Sequence, residues 1–331
     1  MTAFSQKINR PIFILYGFPN VSDEYKPQNL RQQIHYVESP RTKKRIIGWC
    51  IGCYRVLKQT KANDIIFCWY DFQAVIIYWI CMLMRRRRKI CCLNILLKKK
   101  DTIVNRIVRY MYRKALLSKN FHASVTSPYY GEKLKEWLGI DFKYVIIHDL
   151  FHTNWTAKST ANKENTLFVG GGNGRDWPFA IRLAKKMPHV YFTFVMRQDV
   201  YNKYKNELPI NIKIKTSIPF KDFMQEMANS TMVCLPLDTE APAGLMVVFQ
   251  AAGCEKMVLI TKTVTSQEYI TSERGCTLGN NIDDWISAIN YYLSHKTERQ
   301  QKARTLYNYL NLQCGIKQYS QGIQALIDQC E

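Results

Sequence analysis

Apolar residues in this chain gather in short unbroken runs, each followed by a polar or glycine-bearing turn and then a longer stretch of helical pattern. Pro11–Tyr16, Asp64–Trp69, Ile90–Leu97, Ala123–Thr126 and Tyr144–Ile147 read as strands in the first half. Thr166–Val169, Val190–Val195, Ile210–Lys215, Val233–Pro236 and Met257–Thr261 do so in the second. Runs without alternation suit strands buried on both faces, as in parallel sheets covered by helices. Between them Gln28–Val37, Arg45–Lys58, Ala74–Met84, Thr102–Leu117, Tyr129–Leu138, Trp177–Lys186, Phe220–Met227 and Gly244–Gly253 predict helices. Asn281–Leu293 and Lys296–Leu312 follow as amphipathic closing helices. On Arg45–Lys58 the residues Ile46, Ile47, Cys50, Ile51 and Tyr54 share one side, which is the expected apolar face. The alternation of strand and helix predicts an α/β fold assembled from βαβ units.

A length of 331 residues exceeds one ordinary core and fits two domains of about 150 residues each. Residues 151–165 are rich in Thr, Ser, Asn and Lys without periodicity, so they read as a linker between a domain at 1–150 and one at 166–331. With 47% hydrophobic residues, a large core is available and global disorder is excluded.

Charge divides the halves. Residues 1–150 hold 27 basic against 10 acidic side chains, and the remainder 20 against 16, so the net +21 lies mostly in the first half. Basic halves meet nucleic acid, anionic lipid or phosphorylated substrates. Arg85, Arg86, Arg87, Arg88 and Lys89 directly follow the apolar Tyr78, Trp79, Ile80 and Met82, and Lys98–Lys100 come soon after. Apolar and aromatic residues beside arginines favour a surface resting on anionic headgroups, against the alternative of a solvated loop. Nucleic acid is disfavoured, since the aromatics sit inside apolar runs and no RNA- or DNA-binding motif occurs. Ile65–Met84 has the length of a membrane span, but Asp71 and Gln73 interrupt it, and a mid-span aspartate costs about 2.5–3.5 kcal/mol. The 11 cysteines are scattered and mostly in apolar runs, Cys50 and Cys53 form a lone CxxC, and MTAFSQKINRP has no signal-peptide core. The expected setting is cytoplasmic and peripheral on the cytosolic face of a membrane.

Candidate chemistry falls where strands end. Gly17 follows the first strand, as a turn or as a place where a ligand meets backbone. Asp71 follows the next, as a helix cap or as a base at the edge where open α/β sheets bind ligands. His122, His148, Asp149 and His152 are further residues for a cleft between the domains. Gly170-Gly171-Gly172-Asn173-Gly174-Arg175-Asp176 turns from a strand into a helix, and its spacing is neither GxGxxG nor a P-loop. What remains is a flexible loop that can face phosphate with one guanidinium, whose planar fork binds two oxygens at once; a plain surface arginine is the alternative. Ala243-Gly244 opens a small-residue helix whose first N–H groups can hold an anion such as a diphosphate. Asp283-Asp284 lies at a helix start and reads as capping, not as a metal pair.

The stretch Cys234–Ile270 resembles the donor-site signature of GT4-like glycosyltransferases of the GT-B fold. In that signature a strand ending in proline leads through a loop to Gly-Leu, an apolar helix, Glu-Ala, a glycine and a strand. The matching residues are Pro236, Ala243-Gly244-Leu245, Gln250-Ala251, Gly253, Met257–Thr261 and Ser266-Gln267-Glu268. The resemblance covers about 166–270 and implies two Rossmann-like domains facing each other across a cleft. The implied activity is transfer of a hexose from a nucleoside-diphosphate sugar to an acceptor hydroxyl, without a metal. The basic first half would then be the acceptor side, and a lipid-linked or cell-surface polysaccharide precursor as acceptor would account for its charge and its apolar residues. The resemblance further implies donor contacts from Gly171, Gly172, Asn173, Arg175, Glu240, Ala243, Gly244, Leu245 and Gln250. Arg175 would stabilise the leaving diphosphate and Asp71 activate the acceptor. The acceptor and membrane side would include Gly17 and Arg85–Arg88. The family's paired glutamates, eight positions apart, fall here on Pro242 and Gln250. Gln250 can still hydrogen-bond ribose, and Glu240 stands near the first position. Their loss leaves two other readings: a nucleotide-sugar-binding protein without catalysis, and a nucleic-acid-binding protein.

Overall fold

A computed structural model describes residues 10–97, 102–160 and 164–330. The chain forms two compact units, one of residues 1–150 with 316–331 and one of 151–315. The first unit contains β1 (Ile12–Tyr16), β2 (Ile34–Glu38), α1 (Arg45–Gln59), β3 (Ile65–Cys68), α2 (Asp71–Leu83) and β4 (Lys89–Cys92). It continues with α3 (Ile103–Leu116), β5 (Phe121–Val125), α4 (Pro128–Leu138) and β6 (Tyr144–Ile146). All six strands are parallel, in the order β2-β1-β3-β4-β5-β6. The strands β1 and β3 are buried along their whole length, as their unbroken apolar runs require. From β2 to β6 every connection steps the same way along the sheet, so right-handed crossovers put α1 to α4 on one face. The opposite face is covered by the terminal helix Ile316–Asp328, whose Tyr319, Ile323, Leu326 and Ile327 pack on Ile12, Ile14, Ile65 and Phe67.

The second unit repeats the plan. Its elements are β7 (Thr166–Gly170), α5 (Trp177–Lys186), β8 (Tyr191–Met196), α6 (Gln198–Tyr204), β9 (Ile212–Thr216), α7 (Phe220–Ala228) and β10 (Met232–Leu235). There follow α8 (Leu245–Gly253), β11 (Val258–Thr261), α9 (Ser266–Tyr269), β12 (Cys276–Leu278), α10 (Ile282–Ser294) and α11 (Lys296–Gln313). Its parallel sheet has the order β12-β11-β10-β7-β8-β9. On one face α5 and α10 close over Leu167, Phe192 and Leu259 around the fully buried Trp285. On the other, Phe223 of α7 meets Phe168 edge-on at 5.0 Å. The helix Ile316–Asp328 is α12.

Most expected elements are present within a few residues, and four differences have physical causes. Gln28–Val37 is not a helix: Ile34–Glu38 is β2, and the N–H groups of Gln28 and Arg31 bond the Ser320 and Gln324 side chains of α12. The run Ile90–Leu97 leaves the ladder at Cys92, after which Leu93 and Ile95 stay buried but bond Cys68 and Ser124 singly. On α1 the expected face is turned outward, with Ile46 and Ile47 50% and Tyr54 66% exposed. The buried side is Gly48, Gly52, Cys53, Val56 and Leu57, because a Cβ on Gly48 would come within 2.3 Å of the Pro40 carbonyl and one on Gly52 within 2.2 Å of Ser39 Oγ. Finally, 316–331 belongs to the first unit and 151–165 to the second, where Phe151 and Trp155 are buried and Phe151 N–H bonds Cys314. The expected boundary at 166–331 is corrected accordingly. Lys98–Lys100 and part of the expected linker lie outside the described residues.

Candidate functional site

In the second sheet the chain steps from β7 outward to β9, then crosses back to place β10 on the other side of β7. That reversal opens a crevice at the carboxyl ends of β7 and β10, the place where open α/β sheets hold ligands. The glycine-rich loop leaves β7 there, and the proline-ended β10 leads through 236–244 into α8 beside it. The two loops are laced together. Asp176 N–H donates to the Pro236 carbonyl at 3.0 Å and Asp238 N–H to the Gly174 carbonyl at 3.1 Å, with Arg175 and Leu237 in an antiparallel bridge. Thr261, ending β11, accepts from Leu237 N–H at 2.8 Å and fixes the same loop from the far side. Asp176 caps α5 by accepting from Phe179 N–H.

Arg175 lies at the centre of this lacing and is 5% exposed. Its Nε donates to the Gly170 carbonyl at 2.6 Å, which aims the guanidinium back across the loop toward α8. Nη1 has no hydrogen-bond partner, and it would lie 3.2 Å from a Cβ on Gly244. Burial lowers its pKa to about 10, opposed by the nearby Asp238 carboxylate. The side chain is therefore charged at neutral pH, with donors left over. Gly244 precedes α8 with φ +79°, a conformation that a side chain at this position would strain. The first intrahelical bond runs from Val248 N–H to Gly244, so the N–H groups of residues 245–247 stand ahead of the ladder. A helix N-terminus and a buried, incompletely bonded guanidinium thus converge on one spot suited to an anion.

The other expected donor contacts fall around it. Gly171 has φ +103°, and a Cβ there would lie 2.8 Å from Arg175 Nη2, while Gly172 and Asn173 are exposed at the loop tip. Ala243 and Leu245 are buried and could offer only backbone. Gln250 is 8% exposed on α8, and its Oε1 has no partner. Glu240 is exposed, its carboxylate 3.4 Å from Val264 N–H. Two residues not singled out from sequence join them. Asp238 is the carboxylate that faces Arg175, and Arg197, next to the end of β8, has its Cδ 3.9 Å from a Cβ position on Gly172. Arg197 bonds Asp199, 2.8 Å from Nε to Oδ1. The signal for Arg197 was a basic residue directly after a buried strand. A cleft of about 820 Å³ among Glu164, Lys256 and Arg299 opens where the strands of this sheet begin, the edge away from the loop.

In the first unit the expected residues separate. Gly17 and Asp71 both follow strands at the carboxyl edge, but the space beside Gly17 is filled: a Cβ there would lie 2.1 Å from the Tyr70 ring, and Trp49 Nε1 bonds its carbonyl. Close approach of a ligand to Gly17 from that side is ruled out by Tyr70. Asp71 accepts from Leu96 N–H at 2.9 Å and Phe72 N–H at 2.7 Å, tying α2 to the segment after β4. Burial raises its pKa, with those bonds and one from Tyr112 opposing. Arg85–Arg88 precede β4 and so lie at the opposite edge of the sheet, not with Gly17 and Asp71. Arg85, Arg86 and Arg87 are exposed. Arg88 is buried and structural, donating to Thr60 Oγ1 at 3.1 Å and the Thr60 carbonyl at 2.7 Å, which removes it from any acceptor or membrane surface. His148 Nδ1 lies 3.0 Å from the Thr126 carbonyl, and Asp149 accepts from Asn94. His152 packs against Trp155 in the second unit with the rings tilted by 36°, and His122 lies within β5. Among the described residues no three His, Cys, Asp or Glu side chains converge as metal ligands, and no helix is long and apolar enough to cross a membrane.

No family model matches the chain, and no curated protein matches it in sequence. Solved structures do match it over nearly its whole length. HepE of Anabaena, solved with UDP-glucose, is 13% identical with TM-score 0.73, over 96% of this chain and 99% of that one. Sucrose-phosphate synthase of Thermosynechococcus elongatus is 11% identical with TM-score 0.72, over 97% and 88%. A glycosyltransferase of Rickettsia africae is 11% identical with TM-score 0.64, over 90% and 86%. At such identities the likeness is one of fold, and the fold is GT-B, built of two Rossmann-like domains.

Proposed function

We propose that the protein is a glycosyltransferase of the GT4-like group that moves a sugar from a nucleoside-diphosphate donor to an acceptor hydroxyl. The observation that carries this is Arg175, buried, charged and with Nη1 unpartnered against the glycine that opens α8. In the reaction the bond from the sugar's anomeric carbon to the β-phosphate oxygen breaks and its electron pair leaves on the diphosphate. The acceptor oxygen bonds the same carbon and gives up its proton. Negative charge grows on the leaving group, and fixed donors aimed at it lower the barrier. The N–H groups at the start of α8, those of Gly171 and Gly172, and the Arg175 fork would supply them. Gln250, with a free amide oxygen, would take a ribose hydroxyl, and Asn173 and Glu240 would border the sugar. The reading gives no task to a metal. Asp71 is the carboxylate we assign to the acceptor hydroxyl, since a raised pKa favours taking a proton. A lipid-linked saccharide acceptor, used at the cytosolic face of a membrane in polysaccharide synthesis, fits the basic first half.

HepE was solved with UDP-glucose, so UDP is the first nucleotide to try. Thermal shift against UDP, GDP, ADP and CMP, each with and without EDTA, should show one nucleoside diphosphate raising Tm in both conditions. Arg175→Ala should weaken that ligand by about 10- to 150-fold, the worth of one charged hydrogen bond at about 1.5–3 kcal/mol. Equal shifts for wild type and Arg175→Ala would reject the site. A second reading rests on Pro242 and Gln250 standing where the family has glutamates. In it the nucleotide sugar binds but no acceptor is ever glycosylated, which product analysis with varied acceptors decides.

A further inference from the structure

α3 is apolar on two opposite sides. Toward the sheet it buries Tyr112, Ala115 and Leu116. At about 100° per residue, Ile103, Ile107, Tyr110 and Leu117 line up on the side facing away, joined by Lys114. The four apolar members are 77%, 57%, 53% and 58% exposed, and Val104 beside them is 69% exposed. An ordinary surface helix turns polar there. Arg106, Arg109 and Arg113 follow one flank of the stripe, and residues 102–119 hold five basic and no acidic side chains. A cleft of about 590 Å³ runs along that flank toward the end of α4, lined by Arg106, Arg109, Arg113 and Lys114 with Glu136 and Trp137 of α4. Because α3 follows the carboxyl end of β4, its most exposed residues, Ile103 and Val104, lie toward the edge that carries Asp71.

We propose that α3 docks the protein on an anionic lipid bilayer, with the Ile103–Leu117 stripe at the boundary of headgroups and acyl chains and the arginine flank on lipid phosphates. The chemistry selects this partner. A second copy would set two acid-free basic stripes against each other, and nucleic acid has no use for a row of exposed Ile, Val and Leu. The docking element proposed is α3; of the Arg85–Arg88 run, Arg88 is buried and takes no part. The inference rests on the proposed function only in taking the acceptor to be lipid-borne.

The full-length protein is sedimented with vesicles of phosphatidylcholine alone and of seven parts phosphatidylcholine to three of phosphatidylglycerol. Wild type should bind the anionic vesicles alone. Ile103→Ser/Ile107→Ser and Arg106→Gln/Arg109→Gln/Arg113→Gln should each reduce that binding about tenfold or more. Tm and the response to nucleotide should stay at the wild-type level, which keeps this test separate from the donor site. Wild-type binding by the serine variant overturns the proposal, as does failure of the unaltered protein to bind anionic vesicles. A dimer in light scattering that the serine variant abolishes would overturn it in favour of a second copy, and salt-sensitive RNA binding without vesicle binding in favour of nucleic acid.

Discussion

Asp71 shows how far one residue's chemistry depends on what surrounds it. Its position after a strand predicts either a cap or a base, and the fold gives it two backbone N–H donors on different segments. Burial raises its pKa above the ordinary carboxylate value of 3.8. As pH rises past that ordinary value, the unfolded chain loses its proton before the folded one does. The folded state then binds more protons, so this residue's contribution to stability falls with rising pH until its raised pKa is passed. Asp71→Asn cannot ionise, and its stability to urea should therefore fall less than wild type's between pH 4 and 7. At pH 4 the variant should start about 1 kcal/mol lower, because its amide group faces one of the two N–H donors. If it also keeps full turnover, Asp71 positions the segment after β4 and is not the base. Arg175 could be named from sequence as the one cation of a glycine-rich turn. Its Gly170 bond is local, but its burial and its Asp238 neighbour could not be read there, since both arise from the lacing of two loops more than sixty residues apart.

At the scale of elements, α1 is the sharpest departure from pattern. Counting apolar residues places Ile46, Ile47 and Tyr54 inward, yet these are exposed and the glycines are buried. Close packing decides here: with no side chain on Gly48 and Gly52, the helix can lie against Pro40 and Ser39. Gly48→Val should therefore destabilise by roughly 1–3 kcal/mol, since the Pro40 carbonyl in its way is backbone. Ile47→Ser should stay within about 0.5 kcal/mol of wild type. Thermal melts of the two variants give the answer, and the reverse order would restore the apolar face to the core. α3 was placed correctly, but its apolar pattern could not say that one of its apolar sides is exposed.

For the whole molecule, the consequential feature is the return of α12 to the first unit. Tyr319, Ile323, Leu326 and Ile327 cover one face of that sheet. Burying side chains of this size is worth about 1.5–3 kcal/mol each, and four of them rival the roughly 5–15 kcal/mol that holds a domain together. A chain ending at Gly315 should lose the first unit's unfolding transition while the second unit's persists. Urea denaturation followed by circular dichroism would show one transition in place of two. Survival of both would return 316–331 to the second unit, where the expected boundary had placed it.

What the sequence determined by itself is local. Unbroken apolar runs make doubly buried parallel strands, proline and glycine end them, and periodic segments between them make helices. From these came the α/β class, two similar halves, the glycine-rich loop with Arg175 and the Gly244 start of α8. The tertiary structure alone decided which strands are neighbours, and so where the chain reverses beside β7 and opens its crevice. It also decided that α12 closes the first unit, that Gln28–Val37 is no helix, that α1 is turned over, and that Arg88 is internal. The reason is the same in each case. Periodicity records which residues shun water, but which partner covers them depends on contacts between residues far apart in the chain.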